Sequence, residues 1–125
     1  MAFNFIIKDS GITIDMSMLQ DLVQDNLAAI KPFIELFLTN VPPEVDKLLV
    51  LHHNNDWDNL AKTAHHIKSS LSIIQVDDLH IMALTVEQKA KAKVDPEIIE
   101  AILGIMKEKT KAAQLVLQNQ LQLLA

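Results

Sequence analysis

Apolar residues recur along the chain in steps of three and four, the spacing of helices that turn one face inward. The clearest run is Leu60, Ala64, Ile67, Leu71 and Ile74, a narrow stripe that predicts a helix over residues 57–74. Asp56 is placed to cap it, and Asp58 in the first turn suits the positive end of the helix dipole. A second helix, over residues 77–92, would bury Leu79, Met82, Ala83, Val86 and Ala90. A third opens at Asp95-Pro96-Glu97, a cap followed by proline at the first helical position. It continues through Ile102, Met106, Ala113 and Leu117 towards residue 124.

The first half of the chain is less regular. Ile30, Ile34, Phe37 and Val41 give a helix over residues 26–40, where Pro32 is expected to delay the start or kink it. Pro42 and Pro43 are expected to break or bend the path before a further helical stretch to about residue 54, with Val45, Leu48, Leu49 and Leu51 as its apolar positions. A short helix is expected over residues 17–24. Residues 1–14 mix β-branched residues with Asp9, Ser10 and Gly11, and are expected to form a mostly irregular arm. The pattern reads as all-α: an antiparallel four-helix bundle with a short additional N-terminal helix and an irregular arm, in one domain over residues 1–125.

Composition narrows the function. The 125 residues include 11 basic and 16 acidic ones, a net charge of −5, which argues against a nucleic-acid partner. Without cysteine there is no disulfide, zinc-thiolate site or thiol catalysis. Only Gly11 and Gly104 are glycines, and no phosphate-cradling glycine loop occurs, so neither a nucleotide site nor kinase activity of its own is expected. The opening MAFNFIIKDSG lacks a basic segment and a long apolar stretch, and no apolar run is long enough to span a bilayer. A cytoplasmic monomer with no membrane contact is expected.

The regular helix also carries the candidate chemistry. With the Leu60–Ile74 stripe turned inward, Asp58, Ala61, His65, Lys68, Ser69 and Ser72 spread over one flank and the outer side. His65 is then exposed among small side chains, with Lys62 and Lys68 nearby and no acidic residue between Asn59 and Val76. Imidazole changes charge near neutral pH, and an exposed one in its neutral form is a nucleophile. Lys68, one turn along, is placed to pair with a dianionic group attached to it. His66 points to another side of the wheel, and His52, His53 and His80 read as surface or helix-end residues. No histidine pair has the spacing of a helical metal site.

The segment DWDNLAKTAHHIKSS, residues 56–70, resembles the signature of the histidine-containing phosphotransfer domains of two-component phosphorelays. In that family an alanine precedes the phosphoacceptor histidine, an aliphatic residue lies two positions after it and a lysine three after. Ala64, His65, Ile67 and Lys68 match in order. The preceding FIELFL, residues 33–38, with a proline shortly after, is also similar, and Leu79 and Glu87 fall where the family has a leucine and a glutamate on the next helix. The likeness spans residues 25–91; the last helix matches only as a generic bundle helix. Two positions depart from the pattern: Ser69 and Gln75 stand where the family usually has glycine, Gln75 at an expected left-handed helix end.

The resemblance implies a phosphoryl carrier that accepts a phosphoryl group on His65 from a receiver-domain aspartate and passes it to another receiver. It implies a role for Lys68 and contact or orientation of His65 by Glu87, while the helical wheel itself places Lys62, Ser69 and Ser72 beside the ring as supporting residues. Glu87 with Lys91 four residues on also reads as an ordinary surface pair. No cofactor is expected on this chain; Mg²⁺ is expected only on the partner receiver. Docking is expected on the locally acid-free surface around His65. The two departures leave a second class open, an interaction module that binds a receiver or another signalling domain without accepting phosphate. His65 discriminates, since only a carrier needs it accessible and chemically intact.

Overall fold

In the computed structural model, which describes residues 3–24 and 26–124, the apolar stripes meet in one continuous core. Two strands, β1 (Ile6–Asp9) and β2 (Ile12–Asp15), precede a short helix α1 (Ser17–Val23). A 3-10 turn over Leu27–Ile30 leads into α2 (Lys31–His53), followed by α3 (Trp57–Ile73), strand β3 (Gln75–Val76), α4 (Leu79–Ala92) and α5 (Pro96–Leu124). The four long helices α2 to α5 form the bundle: α3 packs most extensively on α4, and α2 on α5 and α3. No helix among the described residues is long and apolar enough to cross a membrane.

The expected stripe of α3 is buried throughout, as are Ile30, Ile34, Phe37 and Val41 upstream and Ile99, Leu103 and Met106 downstream. Asp56 caps α3 as expected, accepting from the backbone N–H of Asn59 at 3.3 Å. Pro32 lies in the first turn of α2 and delays its start. At the head of α5 Asp95 departs from the expectation: its carboxylate pairs with Lys89 at 2.7 Å, while its carbonyl accepts from Ile98 and Ile99.

Two further expectations are corrected. Pro42 and Pro43 do not break the path, because α2 runs through both. A proline inside a helix costs roughly 3 kcal/mol through its missing N–H and its clash with the carbonyl one turn back. Here Phe37, Val41, Val45 and Leu48 bury one continuous stripe, while Pro43 faces solvent and Pro42 is half-buried. Tertiary packing outweighs the local penalty.

The second correction concerns the arm. Residues 6–15 form an antiparallel hairpin with Asp9 opposite Ile12, joined by Ser10-Gly11 with φ of 56° and 79°. Two successive positive φ values mark the turn whose twist matches paired strands. β2 turns Ile12 and Ile14 into the core and pairs on its other edge with β3, Ile14 opposite Val76. Asp77 pins this small sheet to the bundle. Its Oδ1 accepts from the Thr13 N–H at 2.8 Å, its own N–H donates to the Thr13 carbonyl at 2.9 Å, and Lys109 of α5 donates to its Oδ2 at 2.8 Å. The Lys109 hydrogen bond holds the Asp77 carboxyl below its ordinary range.

Candidate functional site

The turn of α3 that carries His65 lies against α4, and the facing turn of α4 brings in Glu87. Ala64, Ile67, Ala83, Val86 and Ala90 are all buried in that region, and their small or compact side chains let the two helices meet closely. The His65 side chain remains 66% exposed, whereas that of Glu87 is 4% exposed. A carboxylate buried so deeply needs polar partners. It has three.

Nδ1 of His65 donates to Glu87 Oε2 at 2.7 Å, Lys68 donates to Oε1 at 2.6 Å, and Lys91, one turn further along α4, reaches Oε2 at 3.1 Å. The Lys68 bond is the main reason that the Glu87 carboxyl is lowered to about 2; burial opposes this, and the bonds from Lys91 and His65 reinforce it. At neutral pH Glu87 is therefore an anion that can only accept. The hydrogen between it and the imidazole must sit on Nδ1, which leaves the lone pair of the neutral ring on Nε2.

Two hollows open along α3, one walled by His65 and one, on the α2 side, lined by its neighbour His66. One, of about 510 Å³, is walled by Asp58, Ala61, Lys62, His65, Glu87 and Lys91. The other, of about 250 Å³, lies between α2 and α3 towards the far end of α3, where Phe33, Leu36, Phe37, Ile73 and Ile74 make an apolar floor beside Ser69 and Ser70. Ser69 is exposed and donates to the His66 carbonyl at 3.2 Å; Ser72 donates to the Ser69 carbonyl at 2.8 Å. Both hydroxyls are thus turned back onto the helix.

The structure brings His65, Lys68 and Glu87 into one hydrogen-bonded group, with Lys62 on the wall beside them. Lys68 is only 28% exposed, engaged with Glu87 rather than extended into solvent. Ala61 is buried against the expectation that it lies on the outer flank, and Ser72 is half-buried. The surface around His65 is not acid-free as expected: α4 supplies Glu87 and the first turn of α3 supplies Asp58, both on the wall of the hollow beside the ring. Gln75 occupies no left-handed position: it lies in β3 after an extended Ile74, and the positive φ of 45° falls on Asp77. Lys91 was legible in the sequence only as the i+4 partner of Glu87. That pair exists, and the same carboxylate also reaches the imidazole.

His66 points away towards α2, with Glu44 at 3.7 Å. Among the described residues no group of three or more His, Asp or Glu side chains is arranged to hold a metal ion.

Comparison with known families matches residues 32–125 to the Hpt domain model, so the match takes in the last helix as well as the histidine signature. No curated protein and no solved structure matched the chain. With a histidine on a bundle helix, a buried glutamate behind it and a family match over most of its length, the chain belongs to the histidine-containing phosphotransfer (Hpt) domain family.

Proposed function

We propose that this domain carries a phosphoryl group on Nε2 of His65, taking it from the phosphoaspartate of one receiver domain and passing it to the aspartate of another. The observation that carries this reading is the bond from Nδ1 of His65 to a buried, ionised Glu87. It fixes the tautomer that leaves Nε2 nucleophilic, and it holds the ring on a rigid helix while leaving its other edge to solvent.

In the transfer the Nε2 lone pair attacks phosphorus, the bond from phosphorus to the aspartate oxygen breaks, and the carboxylate departs with that electron pair. Nδ1 keeps its proton, so the ring becomes cationic and Glu87 lies where the new charge develops. The receiver contributes the acidic pocket and the Mg²⁺ that neutralise the phosphoryl group in flight. Lys62, Ser69 and Ser72 support the reaction by position: a lysine on the hollow's wall, and two short side chains that leave the approach to the ring open. The apolar floor beside Ser69, with Leu36 exposed at its rim, suits an apolar element of the receiver. On this reading the domain works in the cytoplasm as a monomer.

The alternative of a pure interaction module drew support from Ser69 and Gln75. With Gln75 in β3, no glycine is required there, and one of the two supports is gone.

Incubation with phosphorylated receiver domains, followed by mass spectrometry at neutral or alkaline pH, tests the reading. Phosphate on His65, absent in His65→Gln, is the expected result. Phosphate on His66, or none from a panel of receivers, would overturn it.

A further inference from the structure

We propose that Lys91, rather than Lys68, is the cation that takes hold of the phosphoryl group once it is on His65, an inference that rests on the carrier reading for its acceptor atom. The two lysines hold Glu87 differently. Lys68 is largely shielded and is bonded to Oε1 at 2.6 Å, an oxygen that neither His65 nor Lys91 uses. Lys91 is 66% exposed and sits at 3.1 Å from Oε2, the oxygen that also accepts from Nδ1 at 2.7 Å.

In the nucleophilic form of the ring the sharing of Oε2 is harmless, because the ammonium is then the one cation on that oxygen. Attack by Nε2 with Nδ1–H retained changes that: the ring becomes cationic, and a phosphoryl dianion is bonded to it. Two cations then compete for one carboxylate oxygen. The ring has the shorter bond and is fixed by its helix, so it keeps Oε2.

Displacement of Lys91 leaves no buried polar atom unsatisfied, since Nδ1–H still covers Oε2 and Lys68 still covers Oε1. Displacement of Lys68 would strip Oε1 of a carboxylate that is 4% exposed, at the cost of an uncompensated buried oxygen. Lys91 also lines the hollow of which His65 is a wall, and its flexible stem carries a strongly hydrated charge well suited to following an anion. Lys68 lies one turn along α3, outside that lining. Lys62 shares the wall but makes no bond to Glu87, so the charge change on the ring displaces it from nothing.

The test uses the full domain with nitrogen-15 in its lysine ammonium groups. Phosphoramidate loads His65 without any receiver, and the ammonium resonances are followed by NMR, assigned through lysine-to-arginine variants. The Lys91 resonance is expected to move on phosphorylation and that of Lys68 to stay. In a mixture with a phosphorylated receiver, Lys91→Met is expected to lower the equilibrium fraction of phospho-His65 about fivefold, the effect of losing one exposed charge pair, and Lys91→Arg to restore it. A resonance shift at Lys68 or Lys62 with Lys91 unmoved, or an unchanged equilibrium in Lys91→Met, overturns the inference. If phosphoramidate loads His65 and Lys91 responds while no receiver transfers, the relay partner falls and the role of Lys91 stands. If His65 takes phosphate from neither donor, both fall.

Discussion

Glu87→Gln changes almost no volume and removes one charge, which makes it the sharpest probe of the site. The carboxylate now accepts on both oxygens, from Lys68 on Oε1 and from Nδ1 and Lys91 on Oε2. A glutamine amide has one oxygen and one NH₂ group. If the oxygen faces Lys68, the NH₂ meets Nδ1–H, and the ring relieves the donor–donor conflict by moving its proton to Nε2. If the oxygen faces the ring, the NH₂ meets the Lys68 ammonium inside the helix interface. The second arrangement leaves a buried mismatch of roughly 1–3 kcal/mol, and the first avoids it only by consuming the nucleophilic lone pair.

Stability against pH gives an independent measure of the same group. The folded-state value of Glu87, about 2, lies below its ordinary 4.5. Its contribution is therefore complete above about pH 4.5 and is lost as the pH falls from there through about 2. That interval corresponds to about 3 kcal/mol. Denaturant unfolding of wild type and Glu87→Gln at pH 7 and pH 3 should show the gap between them narrowing in acid. Nitrogen-15 NMR of the imidazole reads the tautomer, and transfer from a phosphorylated receiver reads the chemistry. A glutamine variant that keeps its proton on Nδ1, takes phosphate at the wild-type rate and shows the wild-type acid profile would refute the claim that the Glu87 charge sets up His65.

Further outcomes are expected elsewhere. Phosphate on His65 should be lost in acid and retained in alkali, as a phosphoramidate is, and ATP alone should give no labelling. Ser69→Gly should preserve or raise the transfer rate, whereas Ser69→Gln and Ser72→Phe should depress it strongly by blocking an approach that must reach about 3–3.5 Å. Melting temperature should change little at exposed Ser69; wild-type rates in both bulky variants would put the docking face on another side of α3. Asp77→Ala removes the acceptor of Thr13 and Lys109 at a residue with φ of 45°, and should cost about 2 kcal/mol in denaturant unfolding while leaving phosphate uptake unchanged.

The parts of this molecule that were legible in the sequence are those in which local pattern and tertiary packing agree. The α3 stripe, its Asp56 cap and the exposure of His65 follow from helical spacing alone. Where the two conflict, the sequence misleads. Pro42 and Pro43 signal a break that the buried stripe of α2 overrides, and the hairpin was hidden because its strands are only four residues long. Ser10-Gly11 was its one signal, a turn pair flanked by alternating residues. The shared oxygen of Glu87 lay beyond any one-helix reading, since it depends on which turns of α3 and α4 meet. A wheel drawn for α3 cannot contain Glu87, and one drawn for α4 shows only its neighbour Lys91.

That meeting of turns also bears on why the ionic group exists. Ala64, Ile67, Leu71, Ala83, Val86 and Ala90 already hold α3 to α4 by burial. Replacement of a buried ion network by apolar side chains is often neutral or stabilising, because desolvation offsets most of the Coulombic gain. As a fastening for two helices, Glu87 with two lysines is thus a costly choice. Its benefit appears only once the exposed ring is included: the carboxylate selects the tautomer, and Lys68 keeps that carboxylate ionised at neutral pH. A group whose place in the interface apolar side chains could fill, but which determines which nitrogen faces solvent, is better explained by phosphoryl transfer than by packing. An apolar substitution of the whole group, Glu87→Leu with Lys68→Met and Lys91→Met, should leave the fold at or near its present stability while removing phosphate uptake. A triple variant that melts far below wild type would mean that the network holds the helices together, and the case for a chemical role would lose this support.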